Sequence, residues 1–216
     1  MSLTKHIGCL HLGHNKISEK FRPEFKSDEF HDQYITEQIL KNTKKRDTLW
    51  LHGDLFFTEE SLKYARQIVN NVSQVNIIIG NHDTDRKVRM NNIITLVNEF
   101  SSVKIHSMHK RYGAWLTHAP IHPNELRNAP NIHAHTHREL TYEYGYFSVS
   151  AEAIGYIPRE TEDILKAIRD KAPDRYFTVY SNPQMTYNNN VTEEKMEQLC
   201  NKISKQRSNH VKYNAR

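Results

Sequence analysis

Short apolar runs alternate with amphipathic segments along most of the chain. Three apolar runs, at residues 6–8, 48–51 and 75–79, are typical of strands buried on both faces of a sheet. Between them, two segments place apolar residues at helical spacing, one beginning at Ser27 and one at Thr58. This alternation predicts a βαβ arrangement with a parallel sheet and a right-handed crossover. We therefore expect an α/β fold.

The pattern continues with shorter elements. Further helices are predicted at about residues 91–100 and from Thr161 to the residues before Pro173. Five segments have β-like composition: residues 103–107, 114–117, 131–134, 146–150 and 175–180.

The C-terminal part of the chain differs from the rest. Asn188 to Asn190 has the composition of a linker, and Thr192 opens an amphipathic helix. The last 17 residues carry five cations and no acidic residue, and this segment accounts for the whole net charge of +5. A basic tail of this kind can bind nucleic acid or another polyanion, or can be simply solvated. We predict a domain over residues 1–172 and an extension over residues 173–216.

Length and composition limit the remaining possibilities. The 216 residues suffice for one domain, no stretch approaches a membrane span, and the N-terminus lacks the apolar core of a secretory signal. We therefore expect a cytoplasmic protein without a membrane partner. Cys9 and Cys200 are too few for a disulfide framework and are expected to be reduced.

Polar residues that could bind a metal or take part in catalysis follow the apolar runs. Gly80 permits a sharp turn after the third run, and Asn81, His82 and Asp83 come directly after it. Ligands bind at the carboxyl ends of strands in open α/β sheets, which favours a metal or phosphate site. The alternative is an Asx turn, because Asn and Asp are common turn residues.

Four other strand ends carry similar residues, which makes a chance scatter of histidines a poor explanation. They are Cys9 with His11, Asp54, His118, and His135 with His137. Imidazoles, a carboxylate, an amide oxygen and a thiol suit transition metals better than calcium. The set exceeds the ligands of one tetrahedral ion, so we predict two metals roughly 3.5 to 4 Å apart, an arrangement that commonly cleaves phosphate esters.

At these positions the chain resembles the calcineurin-like metallophosphoesterase superfamily. The residues that carry the resemblance form five ordered blocks: Cys9-Leu10-His11, Gly53-Asp54, Gly80-Asn81-His82-Asp83, His118, and Ala134-His135-Thr136-His137. The likeness covers residues 5–171 and is to a small, uncapped bacterial or phage branch, which would place the protein in the host cytoplasm if it is phage-encoded. It implies a calcineurin-like β-sandwich flanked by helices, in four αββα layers, to which we add a C-terminal helical extension.

The resemblance also implies roles for these residues. It implies that one divalent metal is held by His11, Asp54 and His137, and the other by Asp54, Asn81, His118 and His135, with Mn, Zn, Fe or Ni as the metals. Asp54 would bridge the pair, and a hydroxide held between the metals would attack phosphorus. His82 would act as general acid, with Asp83 orienting its ring. Arg22 and Arg86 could contact phosphate, although a solvated surface arginine is the simpler interpretation of each.

Two positions depart from the family pattern. Ala134 stands where the family has Gly, which asks for a slightly different backbone fit. Cys9 stands where it has Asp, so the first metal could be bound through thiolate, bound weakly or lost; a small buried thiol that only packs is a further alternative. We favour a weakened or non-ligand position.

The expected function follows from these features. Gly53-Asp54 is followed by Leu55-Phe56-Phe57-Thr58, without the arginine that protein phosphatases place there. We therefore expect a phosphodiesterase acting on a nucleotide or nucleic-acid ester. The alternative is a non-catalytic or metal-depleted binding module with the same fold, which Cys9 favours.

Overall fold

The computed structural model describes residues 1–138 and 144–171. These residues belong to one compact unit. The predicted extension at residues 173–216, with its strand at 175–180, linker, terminal helix, Cys200 and basic tail, lies outside the described residues. No helix among the described residues is long and apolar enough to cross a membrane.

The described residues form two sheets of mixed direction. The strands, in chain order, are β1 Thr4–Ile7, β2 Thr48–His52, β3 Gln74–Ile78, β4 Val103–His106, β5 His109–Arg111, β6 Ala114–Leu116, β7 Asn131–His133, β8 Tyr146–Ser148 and β9 Arg159–Glu160. The first sheet has the order β4-β3-β2-β1-β9 and the second the order β5-β6-β7-β8.

The predicted βαβ arrangement is confirmed. Strands β1 to β4 pair in parallel, with Leu49 opposite both Lys5 and Val75. In the second sheet, β6, β7 and β8 are also parallel, whereas β5 and β9 pair antiparallel with their neighbours. Parallel strands end at the same edge of a sheet, so the residues after β1, β2 and β3 emerge together.

Helices flank the sheets. They are α1 Ile17–Lys20, α2 Asp28–Asn42, α3 Leu62–Asn71, α4 Asn81–Thr84, α5 Lys87–Glu99 and α6 Thr161–Lys171. The predicted cap of α2 is confirmed, because Ser27 Oγ accepts a hydrogen bond of 3.1 Å from the Phe30 amide. The predicted cap at Thr58 is wrong: a short 3₁₀ helix, Glu59–Ser61, precedes α3, and the Thr58 side chain caps nothing.

Helix α5 begins at Lys87, earlier than the predicted start near residue 91. The reason is a charged residue on the buried face of its first turn. Arg89 is nearly buried, its guanidinium lies 3.6 Å from the Phe57 ring centroid, and it donates to Asp85 at 2.8 Å. A cation in a core-facing position interrupts the apolar period from which the helix start was predicted.

One apolar core joins the two sheets. It includes Leu51 and Ile77 from the first sheet and Leu116 and Ile132 from the second. Both sheets therefore pack into the same interior, and the loops at their strand ends come together around one region.

Candidate metal centre

The loops after five strands bring the predicted ligands together. The thiol and imidazole donor atoms of Cys9, His11 and His137 all lie within 4.8 Å of one another. The donor atoms of Cys9, Asp54 and His118 form a second such group. Histidine, cysteine and aspartate within this distance can share one ion, and the two groups meet at Cys9.

Five of the predicted ligand residues have left-handed backbone conformation. Ten non-glycine residues in the described part of the chain have positive φ, and half of them are predicted ligands: Cys9, His11, Asp54, His135 and His137, with φ between 51° and 70°. Such conformations cost free energy in non-glycine residues and cluster at functional sites. The left-handed backbone therefore distinguishes these residues independently of their side-chain chemistry.

Asp54 is held against the third strand by close backbone contact. Its Oδ1 accepts from the His82 amide at 2.8 Å, and its Oδ2 lies 3.3 Å from His118 Nε2 and 4.0 Å from His11 Nε2. A Cβ atom on Gly80 would lie only 2.3 Å from Asp54 Oδ1. Burial acts to raise the pKa of Asp54, but the hydrogen bond and charge of His118 outweigh it and lower the pKa. Asp54 is therefore a carboxylate in the folded protein.

The Nε2 atom of His118 faces three polar side-chain atoms. Its Nδ1 donates to the His52 carbonyl at 2.8 Å, which leaves Nε2 unprotonated in the neutral ring. That Nε2 lies 2.9 Å from Asn81 Oδ1, 3.1 Å from His135 Nδ1 and 3.3 Å from Asp54 Oδ2. Burial disfavours the charged ring, yet the hydrogen bond and charge of Asp54 raise the pKa of His118. Converging acceptors of this kind need a proton or a cation between them.

His11 carries an unpaired nitrogen. Its Nε2 is buried without a hydrogen-bond partner among the described residues, and its ring packs 5.1 Å from that of His137. Burial, with the charge of Arg22 as a second cause, lowers the pKa of His11 well below its ordinary value. A neutral imidazole with a free buried nitrogen is the form that binds a metal. These residues fit a metal site.

Cys9 lies between the two groups. Its Sγ is fully buried and accepts a hydrogen bond of 3.1 Å from the His135 amide. Burial, reinforced by the charge of Asp54, raises the pKa of the thiol. Packing alone explains the burial but does not explain why the sulfur faces both groups of donor atoms. The weakened or non-ligand role that we favour for Cys9 stays a prediction.

The structure also shows how Ala134 fits where the family has glycine. Its Cβ lies 2.7 Å from the point that a Cβ on Gly8 would occupy. The glycine at position 8 thus makes room for the alanine at position 134.

The predicted pairing of Asp83 with the His82 ring is wrong. Asp83 instead accepts from three backbone amides, those of Gly80, Asp54 and Leu55, at 2.8 to 2.9 Å. It ties the second strand's loop to the third, which is a structural role. The His82 ring is half-exposed, and its Nδ1 donates to Asp85 Oδ2 at 2.9 Å.

The simpler interpretation of Arg22, a solvated surface arginine, is wrong. It is fully buried, and each nitrogen is engaged: Nη2 donates to the Cys9 carbonyl at 2.6 Å, Nη1 to the Leu10 carbonyl at 3.0 Å, and Nε to Glu152 Oε1 at 2.7 Å. Arg22 also lines the cleft beside the centre, so its phosphate contact stays a prediction. Arg86, in contrast, is exposed and does not line the cleft beside the centre.

Glu152 is the functional residue that the sequence did not reveal. Its Oε1 also accepts from His137 Nδ1 at 2.9 Å, so one carboxylate orients a predicted ligand and neutralises Arg22. Burial acts to raise the pKa of Glu152, but the His137 hydrogen bond and the Arg22 charge lower it to about 2. No local signal in the sequence could have found it, because a single acidic residue in a loop has no pattern of its own.

A cleft of about 550 Å³ opens beside the centre. Five predicted site residues line it: His11, Arg22, His82, His135 and His137. His14, Ile17 and Phe21 line it as well.

Comparison with known proteins informs only the fold. No protein-family model matches the sequence, and no curated protein matches it either. A protein of unknown function from Aquifex aeolicus superimposes with a TM-score of 0.59 at 22% identity, over 78% of this chain and 100% of that chain. A phosphopantetheinyl hydrolase from Mycobacterium tuberculosis superimposes with a TM-score of 0.33 at 15% identity, over 54% of this chain and 41% of that chain, which is too slight to carry an argument. The chain thus shares its mixed α/β fold of two sheets and flanking helices with the Aquifex protein.

Proposed function

We propose that the protein is a metal-dependent phosphoesterase of the calcineurin-like type, acting on a nucleotide or nucleic-acid phosphodiester. The observation that carries the proposal is the convergence of two donor groups, Cys9/His11/His137 and Cys9/Asp54/His118, on residues with strained backbone. Strain is maintained where function requires it, and these donors suit transition metals. The four-layer sandwich expected from the family belongs to this proposal.

Each donor group would hold one divalent cation. His11 and His137 lie on one side of the centre, Asn81, His118 and His135 on the other, and Asp54 Oδ2 faces His11 and His118 from 4.0 and 3.3 Å. A bound pair of such cations supplies a nucleophile at neutral pH and neutralises charge on the phosphoryl oxygens. The buried carboxylate of Asp54 would contribute to holding both.

His82 is suited to protonate the leaving oxygen. It lines the cleft, and its Nδ1 is occupied by Asp85, so the Nε2 edge of the ring is the one available to a substrate. Asp85 takes the orienting role that the resemblance implied for Asp83, because its carboxylate holds the ring orientation.

The cleft supports a diester rather than a small monoester. Its volume of about 550 Å³ exceeds what a phosphoryl group alone needs and lies in the range of sites for nucleotide-sized ligands. Two ester arms can therefore extend from a phosphate at the centre.

A non-catalytic binding module is the second candidate. The buried thiol of Cys9, with its raised pKa, must lose a proton before it can bind metal, which disfavours occupancy of the first group. Metal content and turnover together separate the two candidates.

The test combines metal analysis with turnover of bis(p-nitrophenyl) phosphate. Metal-depleted protein is loaded with Mn, Zn, Fe or Ni in turn, and bound metal per chain is measured. We expect two ions per chain, turnover that a chelator abolishes, and a loss of at least about 10²-fold in Asp54→Asn. The control is Glu37→Gln, an exposed carboxylate paired with Lys41. Two bound ions with full turnover in Asp54→Asn would refute the mechanism, and one or no ion without turnover would favour the binding module.

A further inference from the structure

One residue that lines the cleft, Phe21, is aromatic and largely exposed. Phe21 has 63% of its surface exposed, more than any other large apolar residue in the described part of the chain except Met1. Single exposed apolar residues are common on protein surfaces and need no explanation. Phe21 differs because it lies on the wall of the cleft that serves the metal centre.

The exposure of Phe21 does not come from a loose chain segment. The amides of Phe21 and Arg22 both donate to the Ile17 carbonyl, at 3.0 and 2.8 Å. The next residue, Arg22, is anchored in the core by its bonds to Glu152 and to two loop carbonyls. The backbone therefore fixes an aromatic side chain at the rim of the cleft, as a preorganised binding surface requires.

A chain of ring contacts connects Phe21 to the metal centre. The Phe21 ring meets His14 edge-on, with centroids 5.6 Å apart, and His14 lies 5.9 Å from the ring of His11. Two ring-to-ring steps thus separate Phe21 from a predicted ligand.

The cleft also contains unpaired polar atoms. Four of the seven buried side-chain nitrogen and oxygen atoms without a partner, counted over residues 1–138 and 144–171, belong to residues that line it: His11 Nε2, His14 Nδ1, Thr136 Oγ1 and Glu152 Oε2. Buried polar atoms normally have hydrogen-bond partners, so a cleft lined by several residues with unpaired polar atoms is suited to a polar ligand. An aromatic wall with hydrogen-bonding atoms nearby fits a nucleobase better than an alkyl chain or a plain sugar.

We propose that Phe21 stacks on the base of the nucleoside adjacent to the bound phosphate, with His14 in edge contact. This inference rests on the proposed phosphoesterase function and makes Phe21 a specificity-determining residue for it. The expected ligand is a nucleoside phosphate, whether it is a mononucleotide or the end of a nucleic-acid strand. Stacking on one aromatic residue changes affinity by about 5- to 150-fold.

The test measures binding to the metal-loaded full chain by calorimetry. The ligands are AMP and ribose 5-phosphate, which differ only in the base. We expect AMP to bind more tightly by about 5- to 150-fold, and the ratio of the two affinities to approach one in Phe21→Ala and Phe21→Leu. Phe21→Trp should keep the ratio. Ile105→Ala, which shortens an exposed apolar side chain on β4 away from the cleft, is the matched control and should also keep it.

The outcomes separate this inference from the function beneath it. If the metal-loaded protein does not turn over bis(p-nitrophenyl) phosphate, the proposed function fails. If it does so but binds neither AMP nor ribose 5-phosphate, the stacking proposal is overturned. If it binds both equally, or if Phe21→Ala keeps the preference for AMP, the stacking proposal is overturned while the function stands. A dinucleotide that binds more tightly than AMP, again depending on Phe21, would identify a nucleic-acid strand as the source; equal or weaker binding would identify a mononucleotide.

Discussion

The buried carboxylate of Glu152 offers the sharpest test of how the centre is supported. The change is Glu152→Gln, which keeps the size of the side chain and removes its charge. The wild-type carboxylate is 4% exposed and accepts from Arg22 Nε and His137 Nδ1 at 2.7 and 2.9 Å. In the variant, the buried guanidinium of Arg22 loses its neutralising partner. We expect the folded protein to lose stability and the hydrogen bond that orients the His137 ring to weaken.

Two estimates give the same magnitude. Removing one partner of a buried ion pair costs about 3–5 kcal/mol. Independently, lowering the pKa of Glu152 from 4.5 to about 2 corresponds to about 3 kcal/mol of folding free energy at pH 7. Because the pKa is lower in the folded state, this contribution is complete above the unfolded pKa and is lost as pH falls towards 2. At pH 3.5 about 2 kcal/mol should remain.

The assay is urea unfolding of metal-depleted protein at pH 7 and pH 3.5. The free energies of unfolding of wild type and Glu152→Gln should differ by about 3 kcal/mol at pH 7, and this difference should shrink by about 1 kcal/mol at pH 3.5. Metal affinity at pH 7 should fall by about 10- to 100-fold, because a neutral amide oxygen is a weaker acceptor than a carboxylate for the ring of a predicted ligand. Glu37→Gln, whose pair with Lys41 is exposed, should change stability by no more than about 0.5 kcal/mol. Equal stability of wild type and Glu152→Gln at pH 7 would refute the reasoning.

Three further substitutions test the centre itself. Cys9→Asp should shift metal preference from Zn towards Mn, measured as metal content after equilibration with both ions, because carboxylate is a harder ligand than thiolate; an unchanged preference would mean that the sulfur is not a ligand. His82→Ala should keep its metal content and slow esters with poor leaving groups more than those with good ones, since a general acid matters most for a basic leaving oxygen; equal slowing of both contradicts that role. Gly80→Ala should lower metal affinity and also stability, because the new Cβ would lie 2.3 Å from Asp54 Oδ1. The free energy of chemical unfolding should fall by about 1–3 kcal/mol. Wild-type values of both quantities would show that the loop adjusts freely.

The central strands and the residues at their ends were predictable for a physical reason. A parallel strand buried on both faces needs a continuous apolar run, and the chain leaves each run at the same edge of the sheet. Cys9 and Asp54, which follow neighbouring strands of the first sheet, were therefore expected together. His137 follows β7 of the second sheet, and only the family resemblance placed it with them; the structure brings the donor atoms of Cys9 and His137 within 4.8 Å. The short strands β5 and β9 were not predicted, because two or three residues are too few to show a period.

Partnerships between isolated charged residues could not be predicted. Arg22 and Glu152 lie 130 residues apart, and no local pattern connects them. Two carboxylates, those of Asp83 and Asp85, lie close to His82 in the sequence. Only the turn of α4 determines that Asp85 is the one that reaches the His82 ring. Such choices depend on side-chain direction in three dimensions, which hydrophobic periodicity does not record.

The left-handed backbone at the predicted ligands has a consequence for how this protein can change over evolutionary time. Glycine would adopt the conformations of Cys9, His11, Asp54, His135 and His137 without the cost that these residues bear, roughly 1–3 kcal/mol at each position. Replacement of a ligand by glycine would thus relieve strain in the metal-free chain even as it removes a donor atom. Decay of the centre is favoured by folding stability alone, so only selection for function can maintain these residues.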